Sequence, residues 1–348
     1  GNTRAIEAKL DEMGIAHDCF YDVEPDPSLQ CARRGAKQMA LFEPDVIIAV
    51  GGGSVIDTCK AIAHGAANPG TDIWEFWKRR APLTRSMPVG VVLTIPAAGS
   101  ETSDSAVLTN AEAGEKRGLN TPFNRPAFAI LDPLLAATLP VHQVACGVSD
   151  ILMHTLDRYF NPVTDNALTD ELAEALLRVV LEYGPAAVRD AHDETAMSEI
   201  MWAGSLSHNG LTGLGGRKDF ATHQLGHALS EKFDVYHGDS LTAVWSSWAQ
   251  SVMDADPARF ARFARNVWHV EEADDTAAAL AGIAKQEAFF QSIGMPVRLG
   301  ELSCGKQDEA GLADLASRCS YGKTRTIGTF RVLDYESILA IYRRANEA

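Results

Sequence analysis

The chain lacks any run approaching the roughly 18 apolar residues that a membrane-spanning helix needs, and it has no basic segment followed by an apolar one near its start. Neither a bilayer span nor an export signal is therefore expected. It is also short of positive charge. Against 46 Asp and Glu there are 31 Lys and Arg, a net charge of −15, and the field around such a molecule repels phosphodiester backbones. Nucleic acid is excluded as an expected partner. The six cysteines, Cys19, Cys31, Cys59, Cys146, Cys304 and Cys319, form no CxxC pair, which removes the usual zinc-knuckle and redox patterns. Reduced thiols in a cytoplasmic protein are the expectation, with no catalytic role assigned to them. There is no internal repeat, no low-complexity tract and no Ser/Gly linker. What is present is an ordinary globular composition, 46% hydrophobic and 22% charged over 348 residues, enough for two domains.

Those domains differ in pattern. Over residues 1–140, helical segments alternate with short β-branched runs, the mark of a parallel sheet flanked by helices. Helices are expected over 5–13 and 27–41, and strands over 18–23, 46–50, 89–95 and 127–131. The run Val46-Ile47-Ile48-Ala49-Val50 is wholly apolar and reads as a buried central strand. Over residues 141–348 the strand pattern disappears. Segments rich in Ala, Leu, Glu and Arg recur at helical spacing, as in 167–181 and 276–293, so an all-α domain is expected. The chain has no initiator Met and enters a helix from Gly1-Asn2-Thr3; a first strand of the sheet is expected to lie outside this sequence.

Two constellations carry chemistry. At the end of the 46–50 run stand Gly51-Gly52-Gly53-Ser54, followed by a helical stretch to about residue 64. Glycines there let the backbone approach a phosphate, and the free N–H groups at the helix start attract it. The run is not the GxGxxG fingerprint, since Ile56 occupies the sixth position, and three glycines also make a plain tight turn. A second small-residue turn, Pro96 to Ser100, follows the next strand at what would be the same sheet edge, where ligands of open α/β sheets bind.

The second constellation is histidine-based. Asp150 and His154 are four residues apart, as are His223 and His227, with His237 ten residues beyond. On helices each pair shares a face. A carboxylate and imidazoles suit a divalent zinc or iron ion. Each pair alone could be an ordinary polar contact in a helical core; two together, in apolar helices where an unpaired carboxylate is costly, favour a metal. His17, His64, His142, His192, His208 and His269 lack such company and read as structural.

The segments GGGSVIDTCKAIA, TIPAAGSETSDSAV, GVSDILMHTLDRYF and ATHQLGHALSEKFDVYHG resemble, in order and spacing, the iron-containing alcohol dehydrogenases, in particular their butanol dehydrogenase and broad-specificity aldehyde reductase branch. The resemblance covers almost the whole chain. It implies a dehydroquinate synthase-like architecture, with a dinucleotide-binding α/β domain and a helical domain that binds metal and substrate. It implies metal ligation, by Fe2+ or Zn2+, through Asp150, His154, His223 and His237, and places His227 in the substrate pocket, where it could carry the proton as the catalytic residue. It further implies that Gly51, Gly52, Gly53 and Ser54 meet the cofactor pyrophosphate, that Lys116 lies near the cofactor, and that Asp57, Thr94 and Ser100 lie near the nicotinamide. The cofactor is then NAD or NADP, with the aldehyde reductase branch favouring NADP. The substrate is a small alcohol or aldehyde, and the assembly a homodimer. Gln30 stands where relatives usually carry an acid; no functional consequence attaches to it.

The expected reaction is hydride transfer between NAD(P)(H) and a short- to medium-chain alcohol or aldehyde. Glycerol dehydrogenase-like and dehydroquinate synthase-like activities share the superfamily. The latter would need several basic residues around its phosphate- and carboxylate-bearing substrate, and the segments around Asp150 and His223 are poor in Lys and Arg. A non-catalytic metal- or nucleotide-binding protein is the third reading, separated from the others by an NAD(P)H assay with short aldehydes.

Overall fold

Residues 2–163 and 165–347 are described by a computed structural model, which divides into the units Gly1–Thr138 and Leu139–Ala348. The first holds helices α1 (Asn2–Glu12), α2 (Leu29–Phe42), α3 (Gly53–Ala67) and α4 (Ile73–Trp77) and strands β1 (Ile47–Gly51), β2 (Val89–Leu93), β3 (Ser105–Asn110), β4 (Glu115–Asn120) and β5 (Phe128–Leu131). Strands β1, β2 and β5 form a parallel sheet in that order, in register from Ile47 opposite Val89 and from Gly90 opposite Phe128. The parallel order with helical crossovers is that of an α/β unit.

Three expectations change here. The 46–50 run is not central: β1 lies at the edge of the described sheet, with Ile48 37% exposed, while every residue of β2 is buried between two neighbours. Five apolar residues in a row do not distinguish an edge from a centre, because the number of pairing neighbours decides. Residues 18–23 form no strand. Their carbonyls go to side chains instead, that of Cys19 to Gln38 Nε2 at 3.0 Å and that of Asp22 to Cys31 Sγ at 3.2 Å. Finally, an antiparallel hairpin, β3 with β4, stands where no strand is expected from the sequence. Its turn is set by Asn110, whose side chain accepts from Ala113 N, and by Gly114 at φ +61°.

The second unit holds, among the described residues, helices α5 (Val141–Tyr159), α6 (Ala167–Arg189), α7 (Glu194–His208), α8 (Ala221–Phe233), α9 (His237–Val252), α10 (Pro257–Trp268), α11 (Asp275–Ser292), α12 (Glu309–Cys319) and α13 (Tyr335–Asn346). Its described residues contain no strand, only an isolated bridge between Ile327 and Leu333. Phe160, Trp248, Phe260 and Phe263 form its aromatic core, with the Phe160 and Phe260 rings stacked at 4.2 Å. The buried Arg259 pairs with Asp170 and lies 3.8 Å over the Tyr159 ring, joining α10, α6 and the end of α5. A buried cation held by a carboxylate and a ring avoids the penalty of an unpaired charge. These contacts fix the helix that carries the polar residues described next.

Candidate metal centre and nucleotide turn

Helix α5 is buried over almost its whole length, yet one face carries Asp150, His154 and Asp157, at spacings of four and seven residues. Helix α8 brings His223 and His227, and α9 begins at His237. Glycines permit the meeting. A Cβ on Gly238 would lie 2.7 Å from the Cys146 Cα on α5, and one on Gly226 would lie 2.8 Å from Leu241 Cδ2 on α9.

The donor atoms converge on one carboxylate oxygen. Asp150 Oδ1 lies 3.4 Å from His154 Nδ1, 3.5 Å from His223 Nε2 and 3.6 Å from His237 Nε2. These are long for hydrogen bonds. They match the edges of a tetrahedron, about 3.4 Å when the bonds to a central ion are about 2.1 Å. Asp150 Oδ1, His154 Nδ1 and His223 Nε2 are buried without hydrogen-bond partners. Orphaned buried acceptors cost free energy, so three aimed at one point fit a cation there. The residues present therefore fit a divalent metal.

His223 is oriented by a second carboxylate. Its Nδ1 lies 2.6 Å from Asp157 Oδ2; a carboxylate accepts, so Nδ1 carries the hydrogen and Nε2 is left as the free lone pair. Burial alone would lower the His223 pKa, but the Asp150 and Asp157 carboxylates outweigh it and raise it to about 9, so a metal binding at Nε2 displaces the proton that the ring otherwise holds there near neutral pH. His154 goes the other way: burial, followed by the neighbouring His208 and His223 rings, holds it well below its usual value. Around these groups, Phe220 takes a left-handed backbone (φ +54°) and its ring lies 5.0 Å from that of His223. The half-buried His227 stacks on His237 at 5.4 Å. His208, read as structural from the sequence, packs its ring 4.0 Å from that of His154.

In the α/β unit, Gly51 ends β1, Gly52 caps α3 with no side-chain bond, and Gly53 and Ser54 open the helix. The backbone N–H groups of that first turn form the kind of end that holds an anion. Glycine also serves packing here, since a Cβ on Gly51 would lie 2.5 Å from Val55 and one on Gly52 3.0 Å from Ile95. Thr94 N donates to Gly51 O at 3.2 Å, setting the turn after β2 beside it.

The remaining residues implied by resemblance are hydrogen-bonded within the protein. Asp57 accepts from Ser100 Oγ at 2.5 Å and from Val107 N at 2.8 Å. Buried Lys60 donates to the Ser100 carbonyl, the Ser100 hydroxyl and the Ser105 carbonyl, and burial lowers its pKa to about 8. Lys116 Nζ lies 2.5 Å from Asp26 Oδ1, while Asp26 Oδ2 accepts from Thr109 Oγ1 and Asp26 N donates to Ser54 Oγ. Asp26 thus links Ser54 and Lys116, a connection the sequence does not announce.

Two family models match the chain: iron-containing alcohol dehydrogenase over residues 1–133, and the C-terminal part of the Fe-containing alcohol dehydrogenase family over residues 143–346. The chain belongs to the iron-containing alcohol dehydrogenase family. Among its relatives, NADH-dependent butanol dehydrogenase A of Clostridium acetobutylicum is 34% identical over 97% of this chain and 86% of its own. The NADPH-dependent aldehyde reductase YqhD of Escherichia coli is 34% identical over 81% of this chain and 73% of its own. Among solved structures, the Thermotoga maritima NADH-dependent butanol dehydrogenase A superposes with a TM-score of 0.92 at 28% identity, covering 98% of this chain and 86% of that one. The substrate- and cofactor-free YqhD superposes at 0.90 with 29% identity, covering 99% and 89%. Among the described residues, no helix is long and apolar enough to cross a membrane.

Proposed function

We propose that this member of the iron-containing alcohol dehydrogenase family interconverts short- to medium-chain alcohols and aldehydes, with one divalent ion held by Asp150, His154, His223 and His237 and a nicotinamide dinucleotide held at the Gly51 to Ser54 turn. The observation that carries the reading is the convergence of three partnerless buried donor atoms on one point, with His237 Nε2 beside them. The division of labour follows residues 1–140 for the nucleotide and 141–348 for metal and substrate.

When bound, the ion supplies Lewis acidity toward the substrate oxygen and the nicotinamide exchanges the hydride. The protein's own work is positioning and proton transfer. Asp157 holds His223 in the tautomer that presents Nε2. His227, one helical turn from His223 and stacked on His237, holds or releases the alcohol proton at its ring. Asp57, Lys60 and Ser100 brace the turn after β2 against α3, and the glycine backbone leaves room for the pyrophosphate.

Relatives carry both coenzymes in their names; NADP is the preference carried over from the aldehyde reductase resemblance. A homodimer and a cytoplasmic location belong to the same reading. The test is an assay of the iron- or zinc-reconstituted chain with NADH and NADPH against a panel of short aldehydes. Metal-dependent oxidation of either coenzyme supports the reading. No turnover with any aldehyde, in protein that holds metal and nucleotide, overturns it and leaves a binding protein.

A further inference from the structure

We infer that the helical unit carries a second site for a zinc-type divalent cation, built from His142, Cys146 and Asp239 and distinct from the Asp150 centre. His142 and Cys146 share a face of α5, and Asp239 stands on the first turn of α9. His142 Nε2 lies 3.1 Å from Asp239 Oδ2, Cys146 Sγ 3.6 Å from His142 Nε2, and Cys146 Sγ 3.8 Å from Asp239 Oδ1. A tetrahedral ion with a bond to sulfur of about 2.3 Å and bonds to nitrogen and oxygen of about 2.1 Å requires edges of about 3.6 Å to the sulfur and about 3.4 Å between the other two. The edge from His142 to the sulfur meets that value, the edges to the two Asp239 carboxylate oxygens lie within a few tenths of an ångström of it, and one ligand atom from each of the three residues falls within 4.8 Å of the others.

The donor set is informative as well. A thiolate, an imidazole and a carboxylate select a borderline ion such as Zn2+ over Mg2+ or Ca2+. The same three residue types could also be read as a cysteine nucleophile with its base. The environment opposes this: burial, followed by the Asp239 charge, pushes the Cys146 thiol up to about 12, whereas a nucleophile needs a depressed value. A bound dication removes that proton outright.

Two further features make the three residues a site. Gly238 admits the backbone of Cys146 at a distance that no side chain would allow, so the approach of α9 to α5 places Asp239 beside Cys146. His142 and Asp239 also line a pocket of about 420 Å³ with Asp234, Tyr236 and Glu301. Three protein donors leave a fourth position for water or a small neutral ligand from that acidic pocket. Occupancy would brace the start of α9, where His237 stands.

The experiment is titration of the metal-free chain with Co2+, read in the near ultraviolet. The Asp150 centre has no sulfur donor, so a thiolate-to-cobalt charge-transfer band reports the second site alone. The band is expected in the wild type and in His223→Ala, and it should disappear in Cys146→Ser together with one bound zinc per chain. His142→Ala, at a half-exposed position that the fold tolerates, should weaken the band-forming affinity at least tenfold. A wild type without the band, a band that survives Cys146→Ser, or an unchanged affinity in His142→Ala overturns the proposal. Loss of the Asp150 centre leaves this readout untouched.

Discussion

In the helical unit the candidate ligands are side chains whose polar atoms meet around Asp150 Oδ1, three of those atoms buried without a hydrogen-bond partner, whereas in the α/β unit the candidate nucleotide residues are already bonded to one another and backbone is what remains open. The first arrangement is expensive to fold without its ion, because buried acceptors stay unsatisfied. The second is complete as it stands, and a nucleotide adds to it without repairing anything. Loss of the metal should therefore leave buried polar atoms unsatisfied in the helical unit, whereas loss of the nucleotide takes away only its own binding free energy and leaves the side-chain bonds of the other unit intact. Substitutions should separate along the same line.

The largest effect is expected at a ligand. His223→Ala removes a donor and leaves Asp157 without its partner; metal content should fall to background at the Asp150 centre, and kcat/KM by at least about a thousandfold, the several kcal/mol a Lewis acid contributes. Full metal occupancy with normal turnover would dissolve the contrast between the two units. His227→Phe should keep the metal and the nucleotide while kcat falls roughly 10²- to 10⁴-fold, the usual share of general acid–base catalysis. Elemental analysis beside steady-state rates checks it: a normal rate makes His227 a pocket wall, and lost metal makes it a ligand.

Asp157→Asn alters only the support behind His223. It should weaken metal affinity about 10- to 100-fold, the typical cost of removing a ligand's hydrogen-bonded support, as read by competition with a chelator. In the α/β unit the expected effect is smaller. Gly53→Ala places a Cβ 3.3 Å from Ala98, a contact the fold can absorb, but directs it at the turn where the pyrophosphate is proposed to sit. NAD(P)H binding should weaken by about tenfold, roughly 1.4 kcal/mol, with metal content unchanged. Equal nucleotide affinity would mean that the glycines serve packing alone.

Legibility in the sequence followed the same division. Asp150 with His154, and His223 with His227, could be singled out because helical periodicity turns spacing into proximity, whereas His237 as a fourth ligand is what the family resemblance implies. Asp157 extends that series at seven residues beyond Asp150, so the same rule places it on the same helix face. His208 carries no such mark, because its approach to His154 depends on how α7 packs. His142 and Cys146 also stand four residues apart on one helix, but nothing in their spacing announces the third partner, Asp239, ninety-odd positions away. In the α/β unit the turn at Gly51 was readable, but the bonds that occupy Asp57, Ser100 and Lys116 depend on Lys60 and Asp26 and on a hairpin whose polar β4 strand, EKRGLN, lacks an apolar alternation. The placing of β1 at an edge was equally out of reach, because apolar content says nothing of pairing neighbours.

The most direct test of the metal centre is an anomalous-difference map from crystals of the iron- or zinc-loaded protein. A peak is expected within coordination distance, about 2.0 to 2.2 Å, of Asp150 Oδ1, His223 Nε2 and ring nitrogens of His154 and His237. Fully loaded crystals with no peak among those four residues would contradict it.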